Sequence, residues 1–298
     1  MTKTSHSKEY FKGLIIATLG VIVLSFDALL IRLAGVAGFK AGFWRALFTG
    51  LSLTILFFTT NRKNSFKILK EGGLPMWVSA TLWGCSGLIF TLGVMTAGAS
   101  TILIMLSLAP LCAAAFSFFA YKQKVSWVTL LAAVGAIGGI WYMYRNGVGH
   151  LTASAIVFAL LTPTLLGINL SFMRRHKEMS RVGLSMLGGY IGAFISLIIA
   201  KFNVGVPKES IIYLLVLGAA AIPFAQTMIS TGTRYIPAAE SALINSLETV
   251  LGITYVWIFL GEIPNANFMF GGAIVLLSIT ANSLYQARVK KAQDLQEK

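Results

Sequence analysis

Apolar stretches, each long enough to cross a bilayer, follow one another along almost the whole chain. A spanning helix needs about 20 predominantly apolar residues. Ten such runs can be placed: Phe11–Leu33, Gly42–Thr60, Leu74–Met95, Ser100–Tyr121, Val125–Tyr144, Leu151–Met173, Val182–Ala200, Ile211–Thr231, Ala238–Leu260 and Asn267–Gln286. With 56% hydrophobic residues, 11% charged residues and a mean hydropathy of +0.78, this chain of 298 residues cannot bury its apolar surface in one soluble core. The fold class expected is therefore an all-α membrane protein. Connections such as Thr96–Ala99 and Gly261–Ala266 are too short to hold a folded domain, so consecutive helices must run antiparallel.

The net charge of +14 would point to nucleic acid if it clustered on a soluble domain, but the basic residues sit in short tracts between apolar runs. That is the distribution of membrane loops, and no nucleic-acid partner is expected. Placing the N-terminus in the cytoplasm puts 18 of the 24 Lys and Arg residues on that side. The other six are Arg32, Lys40, Arg45, Arg145, Lys201 and Lys208, so both termini are expected inside a plasma membrane. Residues 1–10 and 287–298 then form cytoplasmic tails, the second anchored by Arg288-Val-Lys-Lys291 near anionic lipid. The first apolar run follows Lys3, Lys8 and Lys12 like a secretory leader, but it carries Asp27 and Arg32 and no Ala-x-Ala site follows, so it reads as a retained helix. Cys85 and Cys112 lie in apolar runs without CxxC spacing and read as packing residues rather than a metal or redox site.

Sliding the chain on itself by 139 residues superposes Ala99 on Ala238, Ser107 on Ser246, Leu108 on Leu247, Pro110 on Thr249 and Gln123 on Glu262. Helices one to five then match six to ten, dividing the chain into repeats at 11–145 and 150–286. Five is odd, so the second repeat enters the membrane from the opposite side. Inverted repeats of this kind place a binding site near the bilayer midplane, where the halves rock against each other.

The run Pro237-Ala-Ala-Glu-Ser-Ala-Leu-Ile-Asn-Ser-Leu-Glu248-Thr249-Val250, then Phe259-Leu-Gly261-Glu262 and the Gly271-Gly272 helix, resembles a known second-repeat signature. It is that of the drug/metabolite transporter superfamily, in its bacterial ten-helix EamA-type branch. Ala97-Gly-Ala-Ser-Thr, Leu108-Ala-Pro110, Gly135-Ala-Ile-Gly138 and Phe43-Trp44-Arg45 are similar to the first repeat's counterparts. Two positions depart from the pattern. Lys122-Gln123 stands at the Gly-Glu turn of repeat one, and Thr249 stands where a proline, with the kink it gives helix nine, is expected. The resemblance implies a bacterial inner-membrane exporter of amino acids or related metabolites.

Ionisable and polar residues inside the spans are the candidates for substrate handling, because hydrocarbon makes them costly to keep. Asp27 lies beyond the middle of helix one and suits a proton-coupled step or recognition of a cationic group. Its alternative is an ion pair, either static or acting as a gate, with Arg32 or Arg45; a five-residue offset puts Arg32 off its face, which favours Arg45. On helix nine Ser241, Asn245, Glu248 and Gly252 share one face, which should look into a cavity or onto a neighbouring helix. Glu240, near that helix's start, reads as an interfacial or helix-end charge. On helix eight Pro223, Gln226, Ser230 and Arg234 share a face, and Pro223 frees a carbonyl for a substrate or for a neighbouring helix. Asn169 with Thr162 and Pro163 on helix six, and Trp83, Ser86 and Phe90 on helix three, complete the candidate lining. Gly98, Gly135, Gly138, Gly139, Gly188, Gly189, Gly192, Gly271 and Gly272 read as close-packing positions.

The leading functional expectation is a secondary transporter of a small polar or amphipathic metabolite, probing the lipid bilayer from both sides by alternating access. Its rival is a proton-coupled antiporter of drug-like cations that uses Asp27. A passive channel and an intramembrane enzyme are the remaining classes. The three histidines, His6, His150 and His176, all lie outside the spans with no HExxH motif, and there is no P-loop. No cofactor, metal or catalytic residue is expected. Monomer and homodimer are equally compatible with the sequence.

Overall fold

In a computed structural model, residues 3–145, 151–176, 178–262 and 264–296 are described, and among them the chain is helical with no strand. The expected repeat boundary between Arg145 and His150, and Lys177 of the basic census, lie outside the described residues. Thirteen α-helices follow in order: α1 Lys3–Leu24, α2 Asp27–Ala34, α3 Gly38–Asn61, α4 Ser65–Ala97, α5 Ala99–Leu106, α6 Ala109–Tyr121, α7 Trp127–Tyr144, α8 Ala153–Arg175, α9 Arg181–Ile199, α10 Lys208–Leu215, α11 Ile222–Gly232, α12 Ala238–Leu260 and α13 Ala266–Gln296. Among the described residues eight stretches are long and apolar enough to cross a membrane, or nine if the bent pair α5 and α6 counts as one span. One of the eight, Gly38–Ala97, is 60 residues long and contains both α3 and α4, joined by a 3₁₀ turn at Arg62–Asn64.

Three of the expected spans are interrupted, and each interruption has a local cause. Helix one breaks at Ser25–Phe26, where the Ser25 hydroxyl shares the Val21 carbonyl with the Ser25 N–H, at 2.8 and 2.9 Å. Helix four bends by 43° between α5 and α6. Pro110 sits in the first turn of α6, where its missing N–H costs least, and the Ser107 hydroxyl takes the Ile104 carbonyl at 2.6 Å. At the position matching Pro110, α12 has Thr249 and runs unbroken. Helix eight widens to π geometry at Val216–Ala221, just before Pro223. The proline ring excludes the carbonyl four residues back, that of Ala219, and the Ser52 hydroxyl of α3 donates to it at 2.7 Å. The freed carbonyl thus has a hydroxyl partner on a neighbouring helix.

The chain forms two compact units, Met1–Phe26 with Val125–Gly149 and Phe224–Lys298, and Asp27–Lys124 with His150–Pro223. Each draws helices from both expected repeats. In the first, α7 and α13 pack through Gly139 against Gly271, with Gly135 facing Ser278, while α1 packs on α11 through Gly13 and Gly20. In the second, α9 lies against α3 through Gly189 on Gly50 and against α4 through Gly188 and Gly192 on Gly84. A Cβ at Gly189 would meet the Gly50 backbone at 2.8 Å, so these backbones touch only because both residues lack one. Lipid supplies no hydrophobic drive between helices, which makes such close contact the main source of association. Two of the expected packing glycines behave differently: Gly138 faces open space, and Gly98 has φ +86°, serving the turn between α4 and α5.

Helix-end geometry recurs at the 139-residue offset. Lys122 (φ 57°) ends α6 with its N–H on the Phe118 carbonyl, and Gly261 (φ 68°) ends α12 with its N–H on that of Trp257. Arg62 (φ 46°) and Lys201 (φ 49°), also at this offset, follow α3 and α9 with positive φ, the Arg62 N–H on the Phe58 carbonyl and the Lys201 N–H on that of Ile198. Ser126 Oγ caps the Thr129 N–H at the start of α7, and Asn265 Oδ1 caps that of Phe268 at the start of α13. The departure Lys122-Gln123 therefore keeps the backbone turn that glycine makes in repeat two.

Left-handed backbone costs an L-residue about 1–2 kcal/mol, and glycine's greater unfolded entropy returns about 0.5–1 kcal/mol of that. Lys122→Gly is expected to stabilise the protein by about 0.5–1 kcal/mol. Thermal unfolding in detergent checks this; no rise in melting temperature would refute the assignment of strain at Lys122.

Candidate functional site

The break in helix one makes Asp27 the first residue of α2, where a carboxylate is favoured by the helix N-terminal dipole. Across from it, α3 brings Arg45. Arg45 Nε donates to Asp27 Oδ1 at 3.1 Å and Nη2 donates to Oδ2 at 2.5 Å, a two-pronged pair. Both residues are 8% exposed, so the charges are withdrawn from bulk solvent together. The surroundings are shaped around the guanidinium. Gly87 of α4 leaves room for it, since a Cβ there would lie 3.0 Å from Nη1, and the Phe90 ring lies 5.8 Å from its central carbon. The expectation that Arg45 rather than Arg32 engages Asp27 matches this geometry. Arg32 is half-buried in the last turn of α2.

Phe26, the residue before Asp27, stacks on Tyr255 of α12 with ring centroids 4.3 Å apart. The chain therefore has an aromatic anchor on one side of the break and an ionic anchor on the other. Sequence reasoning missed Ser25, Phe26 and Gly87. A serine followed by an acid inside an apolar run is the one signal that pointed to the break.

On α12, at about 100° per residue, Ser241, Asn245, Glu248 and Gly252 lie on the side roughly opposite Leu243, Leu247, Val250 and Ile258. Those four apolar residues are exposed and form the face that suits acyl chains. Ile244 packs on Ala17 and Val21 of α1, and Ser246 accepts from Thr280 of α13 at 3.3 Å. The polar stripe runs between these two contacts. Glu248 and Ser241 are half-buried, Gly252 is buried and Asn245 is exposed. Glu240, in the first turn of α12, is hydrogen-bonded to Tyr10 of α1.

The other candidates lie on α4, α8 and α11. Asn169 is 1% exposed and accepts from Ser79 of α4 at 2.6 Å, tying α8 to α4. Trp83 packs with Met76, Ala80 and Leu184, its ring filling the space left by Gly188. Thr162 donates to the Phe158 carbonyl of its own helix. Ser86 is buried on α4 one residue from Gly87. Gln226 and Ser230 are half-buried on α11, and Arg234 beyond it is exposed. Among the described residues no cluster of His, Cys, Asp or Glu could hold a metal ion.

Residues 153–284, in the second part of the chain, match the EamA-like transporter family. A solved structure titled only as the crystal structure of a protein superposes with a TM-score of 0.65 at 15% identity, over 93% of this chain and 99% of its own. At that identity the likeness concerns the fold. No curated protein matches the sequence.

Breaking a buried pair leaves an uncompensated charge and costs about 3–5 kcal/mol, whereas replacing both partners costs much less. Asp27→Asn and Arg45→Gln are each expected to destabilise by about 3–5 kcal/mol, and the double variant to regain a large part of that loss. Melting in detergent of all four proteins gives the coupling energy. Additive single effects would show that the pair does not act as a unit.

Proposed function

We propose that this chain, which matches the EamA-like transporter family over residues 153–284, is a secondary transporter of a bacterial inner membrane. Its cargo is a small polar or amphipathic metabolite, an amino acid or a related compound, moved outward by alternating access. Ten crossings follow when α1 with α2, α5 with α6, and α10 with α11 each count as one span and α3 and α4 count separately. An even number puts both termini on one side, and the basic census makes that side cytoplasmic. The caps that recur at the 139-residue offset support two five-helix repeats of opposite orientation.

The observation that carries the reading is the buried Asp27–Arg45 pair at the start of a half-helix. An acid and a base are kept deep in an apolar chain, at a break, where a continuous apolar helix would be cheaper. The two spans that pass from one compact unit to the other, helix one and helix eight, are irregular at the crossing: Ser25–Phe26 in one, the π segment and Pro223 in the other. Irregular helix points absorb the dihedral changes of a hinge. In this reading the pair is a latch that holds one state and opens in the other, while Glu248, Asn245 and Ser241 offer polar atoms to the cargo. Gln226, Ser230, Ser86 and Arg32 belong to the same pathway.

Both Asp27 oxygens are occupied by one guanidinium, which favours a latch over the rival proton-exchange role for Asp27. Proton coupling through Glu248 fits the same scheme.

Counterflow of radiolabelled metabolites in vesicles reconstituted with the purified protein tests the proposal. Saturable uptake against a gradient is expected for one cargo class. Asp27→Asn and Arg45→Gln should each slow it by roughly 5–150-fold, the size of a two-state coupling, and Glu248→Gln should raise KM. Flux linear in concentration, without counterflow, would make the protein a channel. Unchanged transport in folded pair variants would leave the latch without a role.

A further inference from the structure

At one end of the second unit α3, α6 and α8 finish while α4 and α9 begin. Leu69, Phe172, Met173 and Met179 cluster there, as do Phe58, Ile68 and Val182. Over the joint end of α6 and α8 stand four exposed cations, Lys122, Lys124, Arg174 and Arg175. Among the described residues none of the four is paired with a carboxylate; Glu178, beyond α8, is exposed. The two helices are held together one turn inward by the Ser117 and Ser171 hydroxyls at 2.5 Å, and by Gly167 seated on the Ala109 and Cys112 backbone region.

Three features set this corner apart from an ordinary loop charge. Lys122 keeps a left-handed backbone where its counterpart Gly261 is glycine, so a strained residue places a cation at this point. Arg175 lies with its guanidinium 4.8 Å from the centre of the Tyr121 ring, a stacked arrangement that limits its motion and presents a planar fork suited to a phosphate. On the same end of α6, Phe118 and Phe119 are exposed, Phe119 by 74%. A free phosphate or a nucleotide would meet the cations but leave these rings uncovered. An amphipathic anion covers both.

We propose that the Lys122–Lys124 and Arg174–Arg175 corner is a binding site for the headgroup of an anionic phospholipid, whose glycerol and upper acyl region lie on Phe118 and Phe119. The phosphate lies on the solvent side of the α6 and α8 ends, held by these four cations, whose charge outweighs the negative dipoles of the two helix C-termini. The lipid clamps the two helix ends that Ser117 and Ser171 join, and the site is independent of cargo and coupling.

Lipid retention by the full-length protein tests this, with native mass spectrometry of protein from micelles doped with phosphatidylglycerol or phosphatidylcholine. Preferential retention of phosphatidylglycerol is expected, and excess inorganic phosphate should not displace it. Each basic residue at an anionic surface is worth roughly fivefold in binding, so Lys122→Gln with Arg175→Gln should lower retention roughly 25-fold, while Lys208→Gln should leave it unchanged. Lys122→Gly separates binding from folding: it should raise the melting temperature and still lower retention. Equal retention of the two lipids, displacement by phosphate, or undiminished preference in the double variant would overturn the site.

Discussion

A chain without water around it must satisfy its own backbone, and that constraint orders this structure more than any side-chain contact. At the interruptions of helices one, four and eight a hydroxyl takes up a carbonyl: Ser25 on Val21, Ser107 on Ile104, Ser52 on Ala219. The first two act within their own segment. The third comes from a neighbouring helix, which makes the π segment of helix eight a packing element as well as an irregularity. At these three breaks a serine is the donor.

The same constraint explains the ion pair. A lone carboxylate at Asp27 would face desolvation with nothing to offset it, as would a lone guanidinium at Arg45. The pair is the arrangement in which each removes the other's cost, and the helix-one break is what allows it, because the new N-terminus both re-aims the chain and lends its dipole to the acid. Gly87 then matters as an absence, since any side chain there would crowd the guanidinium. A leucine pair would be cheaper still, which is why retention of the charges argues for use and not for stability alone.

The sequence disclosed the all-helical membrane class and the partner of Asp27, because each follows from a period or a burial cost that any apolar helix obeys. It did not disclose the breaks. Ser25 and Ser107 look like the other in-helix hydroxyls, Thr54, Thr91 and Thr96, which bond back four residues without interrupting anything. Whether such a bond bends a helix depends on what packs beside it, and that is tertiary information. Asn169 and Trp83 were read as cavity lining for the converse reason. A buried polar or aromatic side chain has the same signature whether it meets a cargo or a neighbouring helix, and the neighbours these two have, Ser79 for Asn169 and Gly188 for Trp83, are distant in sequence.

What the two halves share and what they do not points to the division of labour. The 139-residue offset preserves backbone turns, Lys122 with Gly261, Arg62 with Lys201, and the caps of α7 and α13, even where the residue type is poorly suited to the conformation. It does not preserve charge: Asp27, Arg45 and Glu248 fall opposite Leu166, Leu184 and Ala109. Scaffold positions constrained by backbone satisfaction stay paired because a change at one end of a helix is felt along its whole ladder. Intramembrane charges carry no such obligation, so each half is free to lose them. Those that remain on one side only, a paired acid and base at a helix break and a single acid on a polar stripe, are placed where symmetry does not require them.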